Sequence, residues 1–212
     1  MLRLAIAQIR PMKGEYAANL QKIGGVLGQL AALQPPADLV VFPEAATSGY
    51  FVEGGVQDVA VTAGTLYRDL TQAHTAAKAP RLDVAVGFYE VFQNRFYNSC
   101  LYATLGGPEA GVRHVHRKVF LPTYGVFDEE RFVERGRDVR AFDTSWGRAA
   151  ILICEDAWHS LTGAIAALEG AQLIVVPSAS PARGTWKDEE GLRLPASVVR
   201  WERIVRGLAD EH

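Results

Sequence analysis

The chain has little of what several function classes require. It holds only two cysteines, Cys100 and Cys154, too few for the disulfide framework of a small secreted domain. They lie far apart and neither belongs to a C-x-x-C pair, which excludes the usual zinc signatures. No apolar run approaches the roughly 18 residues that cross a bilayer. The opening stretch Leu2 to Ile9 is too short and too soon polar for a signal peptide. There is no G-x-x-x-x-G-K-[ST] and no strand-linked G-x-G-x-x-G, so no phosphate cradle can be pointed to. Charge of one sign is scarce as well: the formal net charge is −2, which gives no general attraction to nucleic acid or an anionic membrane. Arg113, His114, His116, Arg117 and Lys118 form the nearest basic cluster. Such short runs are usually solvated faces rather than polyanion sites. These absences set the expectation of a cytoplasmic protein with neither nucleic acid nor membrane as partner.

What is present is a core. Apolar residues make up 49% of the chain and charged ones 22%, a balance that supports one packed domain over residues 1–212. Leu2 to Ile9 reads as a buried strand. Leu20, Ile23, Leu27 and Leu30 fall at helical spacing before Pro35-Pro36, and Asp38 to Pro43 is a second apolar strand. Both strands lack alternation, the mark of a helix-covered α/β sheet. The pattern recurs, with a helix over 62–77 and a strand over 83–89. Two further strands, over 98–105 and 111–118, flank the turn Gly106-Gly107-Pro108. Later strands are expected over 146–154 and 173–177, and helices over 160–169 and 195–208.

Sites in such sheets gather at the carboxyl ends of strands. Three strand ends carry reactive groups: Glu44, Lys118 and Cys154. A free thiol titrates near 8.5 and needs a nearby cation to favour its thiolate at neutral pH; Lys118 is the candidate. Glu44 is the candidate acceptor of the thiol proton. Each has a plainer reading: Cys154 as a buried structural thiol, Glu44 as a strand-end cap, Lys118 as an exposed charge. His159, five residues after Cys154, offers a Cys-His alternative. Composition and spacing leave these open.

Longer stretches narrow the choice. Phe42-Pro43-Glu44 with Ser48-Gly49-Tyr50 resembles the glutamate motif of the nitrilase (carbon–nitrogen hydrolase) superfamily. Arg117-Lys118-Val119-Phe120-Leu121-Pro122, continuing Tyr124-Gly125-Val126-Phe127-Asp128-Glu129, resembles its lysine motif. Ile153-Cys154-Glu155-Asp156-Ala157-Trp158 resembles its cysteine motif. Ala7-Gln8 and Gly170 to Ser178 also fit. The likeness runs from about residue 1 to 205. It is most specific to the branch of amidase-like proteins and the glutaminase domains of NAD synthetases.

The resemblance implies a four-layer α-β-β-α sandwich and a Glu44–Lys118–Cys154 triad. It implies a second glutamate that positions substrate, Glu129 with Glu130 as competitor. The Glu155 backbone N–H would join Lys118 in holding an oxyanion. Tyr50, Phe51, Tyr124 and Phe127, near these motifs, are pocket-lining candidates beside ordinary core packing. The implied activity is hydrolysis of a small amide through a cysteine thioester, or of a nitrile, with no metal and no organic cofactor and with a homo-oligomer as the assembled form. Two departures stand out. Glu134-Arg135-Gly136 replaces the family's small-residue proline–glycine pair. Family domains also run several tens of residues beyond the helix that here ends near Leu208, so the resemblance implies a C-terminally incomplete sandwich, and with it the alternative of a catalytically silent binding or assembly subunit.

Overall fold

The computed structural model describes residues 2–124, 128–182, 186–187 and 193–212. Strand β1 (Leu4–Ile6) leads into helix α1 (Tyr16–Ala31), which turns Ile23 and Leu27 inward. Strand β2 (Leu39–Val41) follows, then the one-turn helix α2 (Val56–Val59) and helix α3 (Ala63–Ala77). Thr62 starts α3 by accepting the Thr65 N–H at its hydroxyl, a cap that satisfies one of the helix's free donors. Strands β3 (Leu82–Phe92), β4 (Arg95–Leu105) and β5 (Gly111–Arg117) complete a five-stranded sheet in the order β1-β2-β3-β4-β5.

The sheet is mixed. β1, β2 and β3 are parallel, whereas β3, β4 and β5 form an antiparallel meander. The break comes at Gln93 and Asn94, both at positive φ, because a two-residue connection allows only a hairpin. A three-stranded sheet follows, β6 (Ala141–Thr144), β7 (Gly147–Ile151) and β8 (Leu173–Val175), with helix α4 (Ser160–Leu168) carrying the parallel crossover from β7 to β8. Trp186–Lys187 pairs with Arg193–Leu194 in a short ladder, and helix α5 (Ala196–Glu211) ends the chain.

Three clusters of buried residues define four layers. Ile23, Leu27, Leu66 and Leu70 of α1 and α3 pack on Val40, Val84, Val86 and Leu101. The opposite face of that sheet, with Leu39, Ala85, Cys100 and Tyr102, meets Phe142, Ala149, Ile151 and Val175 of the second sheet. The outer face of the second sheet, including Ala150 and Ile174, is covered by Ala166 of α4 and by Trp201, Ile204 and Leu208 of α5. The result is the expected α-β-β-α sandwich. One expectation fails and one strand was not foreseen. β1 is not a buried strand: among the described residues it is a sheet edge that pairs with β2 alone, and Ile6 is 78% exposed. β6 had no forecast, because Ala141–Thr144 is four residues, two apolar then two polar, with no alternation to mark a strand.

Candidate active site

Glu44, Lys118 and Cys154 leave the ends of β2, β5 and β7 and meet between the two sheets. Glu44 follows β2 across Pro43, and its loop lies directly on β3. A Cβ on Gly87 would come within 2.5 Å of the Pro43 carbonyl oxygen and 2.7 Å of Glu44 Cα, so glycine is what allows the loop to sit there. Lys118 is tied at its backbone: its N–H donates to Asn98 O at 2.9 Å and its carbonyl accepts the Gly136 N–H at 2.8 Å. A Cβ on Gly136 would run into the Arg117 carbonyl. Thus the segment that departs from the proline–glycine pattern keeps the one residue this close approach needs.

Lys118 Nζ lies 2.8 Å from Glu44 Oε1 and 2.9 Å from Glu129 Oε2. All three side chains are buried. Asn98 Nδ2 donates to Glu44 Oε1 at 2.8 Å and to Glu129 Oε1 at 3.0 Å, and the Ala179 N–H donates to Glu44 Oε2 at 2.9 Å. Burial works against the Lys118 charge, but Glu44 and Glu129 outweigh it and hold its pKa above the ordinary range. Burial raises the Glu129 pKa, opposed by Lys118 and reinforced by Glu44. Of the two competing glutamates, Glu129 faces Lys118, while Glu130 is exposed and pairs with Arg135.

Cys154 sits at φ 47, a left-handed conformation that costs a non-glycine residue about 1–3 kcal/mol and gathers at functional sites. Its N–H donates to Pro177 O at 2.9 Å. Its Sγ accepts from Ser178 Oγ at 3.3 Å and lies within hydrogen-bonding reach of Glu44. Burial pushes the thiol pKa up, Glu44 adds to that, and Lys118 and Ser178 counter only in part. Lys118, the candidate cation for the thiolate, lies against the Glu44 and Glu129 carboxylates.

A cavity of about 470 Å³ opens over the thiol, lined by Glu44, Tyr50, Tyr124, Trp158, Arg200 and Trp201 among others. Tyr50 hydrogen-bonds to Glu129, and the Lys118 ammonium lies 5.6 Å from its ring centre. The Tyr124 hydroxyl donates to Glu155 Oε2 at 2.7 Å; burial and that carboxylate push the Tyr124 pKa up to about 12. Phe51 lines a separate small cavity beside Tyr89, so it is not a wall of this pocket; Phe127 lies outside the described residues. His159 stacks on Phe120 at 3.7 Å, faces Glu155 at 3.8 Å, and does not line the pocket. Apart from exposed Arg113, the basic cluster is no solvated face. Lys118 and His116 are buried, Arg117 is bidentate to Glu90 at 2.7 and 2.8 Å, and burial pushes the His114 pKa down to about 4.

Sequence reasoning missed Asn98, Ser178, Trp158, Arg200 and Trp201 as site residues. Asn98-Ser99 is a polar pair inside an otherwise apolar strand, a signal that was available. The α5 residues carried none, because only the packing of the fourth layer brings them over the cysteine.

A family model described as carbon-nitrogen hydrolase matches residues 3–197. The chain belongs to this family. Among relatives of this carbon–nitrogen hydrolase, a probable nitrilase of Schizosaccharomyces pombe is 34% identical over 177 residues, covering 82% of the chain and 62% of the relative. A glutamine-dependent NAD(+) synthetase of Thermotoga maritima is 30% identical over 185 residues, covering 85% of the chain and 30% of the synthetase. The chain therefore spans about three fifths of the first and a third of the second. In fold it is similar to a carbon-nitrogen hydrolase from Helicobacter pylori, with TM-score 0.77 and 20% identity over 98% of this chain and 69% of the other.

Proposed function

We propose that this carbon–nitrogen hydrolase cleaves a small amide to a carboxylic acid and ammonia through a thioester on Cys154. The observation that carries the reading is a thiol on a strained turn, in reach of a buried carboxylate that is itself paired with a buried lysine. Glu44, within hydrogen-bonding reach of Sγ, takes the thiol proton as sulfur attacks the amide carbon. The oxyanion is held by the Lys118 ammonium and the Glu155 backbone N–H; loss of one such donor costs about 3–4 kcal/mol. Glu44 returns the proton to the leaving nitrogen, and ammonia departs. Glu44 then accepts a proton from water as its oxygen attacks the thioester, and hands that proton to sulfur as the acid leaves. Glu129 and Asn98 hold Lys118 and Glu44 in register.

Glutamine is the first amide to try. The synthetase relatives are named as glutamine-dependent, and Glu155 and Arg200 bring opposite charges to the pocket wall, which suits an amide with a charged head group. A nitrile is the second reading, favoured by the name of the fission yeast relative; there the first adduct is a thioimidate. The proposal includes self-association, supported by Leu161 and Leu168 of α4, which are 61% and 88% exposed, and light scattering tests it. Ammonia release from a panel of amides, glutamine and nitriles, beside a Cys154→Ala control, tests the chemistry. Release that persists in the control refutes the nucleophile. Silence across the panel favours a binding or assembly subunit.

A further inference from the structure

We propose that Asp156, held by His116, is a positioning residue that sets Lys118 and Cys154 in register with each other. The two groups come from different sheets. Those sheets share apolar packing rather than a hydrogen-bonded ladder, and apolar packing is non-directional. Directional links are therefore needed where alignment matters; the Ala179 N–H on Glu44 is one, and the Asp156 carboxylate supplies the one that joins the lysine and cysteine segments.

Asp156 is fully buried, and each of its oxygens accepts two hydrogen bonds. Oδ1 takes the N–H of Val119 at 2.9 Å and of Phe120 at 2.8 Å, the two residues that follow Lys118. Oδ2 takes the N–H of Ile153 at 3.0 Å, the residue before Cys154, and faces His116 Nε2 at 2.8 Å, two residues before Lys118. One carboxylate thus clasps the chain on both sides of the lysine and next to the cysteine. It also steadies the positive-φ turn at Cys154, since such a conformation persists only where its surroundings over-determine it. Val119, Phe120 and Ile153 donate through backbone, so His116 is the one donor that substitution removes. Its ring must carry the proton on Nε2, because a carboxylate offers no donor.

This inference rests on the roles of Lys118 and Cys154 proposed above, and its test separates the two. His116→Gln keeps an N–H donor at similar reach; His116→Phe keeps the ring's bulk and removes the donor. A packing role predicts that Phe is tolerated and Gln is not. A positioning role predicts the reverse. At a temperature where circular dichroism shows both variants folded, His116→Gln should keep kcat within about threefold of the parent. His116→Phe should lose about 10- to 100-fold in kcat with KM little changed, the size of loss that slight misalignment brings. The pH profile of Cys154 alkylation by iodoacetamide, read against Cys154→Ala, needs no substrate: the parent and His116→Gln should share one profile and His116→Phe should depart from it. A parent that releases no ammonia leaves the alkylation profile to decide. Equal profiles in all three proteins, a His116→Phe variant as active as the parent, or a His116→Gln variant as damaged as His116→Phe overturns the proposal.

Discussion

Replacing Lys118 by Met keeps the length of the side chain and removes the charge, so cavity and overpacking effects stay small. In the parent, Nζ is 2.8 and 2.9 Å from two carboxylates, and all three side chains are buried. With charge centres roughly 4 Å apart, each attraction is about 4 kcal/mol at an effective dielectric of 20. Desolvation of the three groups offsets much of that. Removing one partner of a buried pair nevertheless costs about 3–5 kcal/mol, because the remaining charge is left uncompensated. Glu44 keeps donors from Asn98 and Ala179, and Glu129 keeps donors from Asn98 and Tyr50, which places the loss near the lower end, about 3 kcal/mol. For a chain of this size that is a fall in Tm of about 6–12 °C.

The pH dependence carries the sign. Without the cation, the burial that already raises the Glu129 pKa is no longer opposed by Lys118, and that pKa rises further. A raised folded-state pKa contributes stability that is present below the unfolded value and lost as pH rises. The gap between parent and variant is therefore widest near about pH 7.5 and narrows toward about pH 5. Urea unfolding followed by circular dichroism at both pH values measures it. A gap below about 1 kcal/mol near pH 7.5, or one that does not change with pH, would refute the account of a charge-balanced buried cluster.

Other outcomes follow from the same geometry. Gly87→Ala should displace the Glu44 loop, destabilising by about 1–3 kcal/mol and lowering kcat at least about tenfold; steady-state kinetics on a folded variant that show normal kcat would mean the loop yields freely. Asn98→Ala strips one hydrogen bond from each carboxylate and should cost about 2–4 kcal/mol in urea unfolding; unchanged stability would show that Asn98 is not what holds them. Because burial and Glu44 raise the Cys154 pKa, iodoacetamide near neutral pH should alkylate the folded thiol more slowly than the same thiol in urea. A faster folded rate would reveal a preformed thiolate. By linkage, Cys100 and Cys154, both raised, contribute stability that is complete below about pH 8.5 and declines above it, by at most about 1.4 kcal/mol per pH unit each. Chemical denaturation at a series of alkaline pH values reads that slope.

Strand and helix order was largely legible in the residues, because periodicity and proline placement act locally. Helix α1 was readable from Leu20, Ile23, Leu27 and Leu30 and the following prolines, and the ends of β2, β5 and β7 were marked by where apolar runs stop at Glu44, Lys118 and Cys154. The family resemblance lay in the same three motifs. Several things were not local and could not be read. The antiparallel turn at Gln93-Asn94 decides the sheet's direction, and edge position rather than composition exposes Ile6. The choice of Glu129 over Glu130 depends on which carboxylate the turn aims at Lys118. The raised thiol pKa depends on burial and on the nearness of Glu44. Residue types in a linear order determined which chemistry this chain has available. Only the packing of two sheets face to face determined which charges are buried together, and burial is what gives those charges their strength.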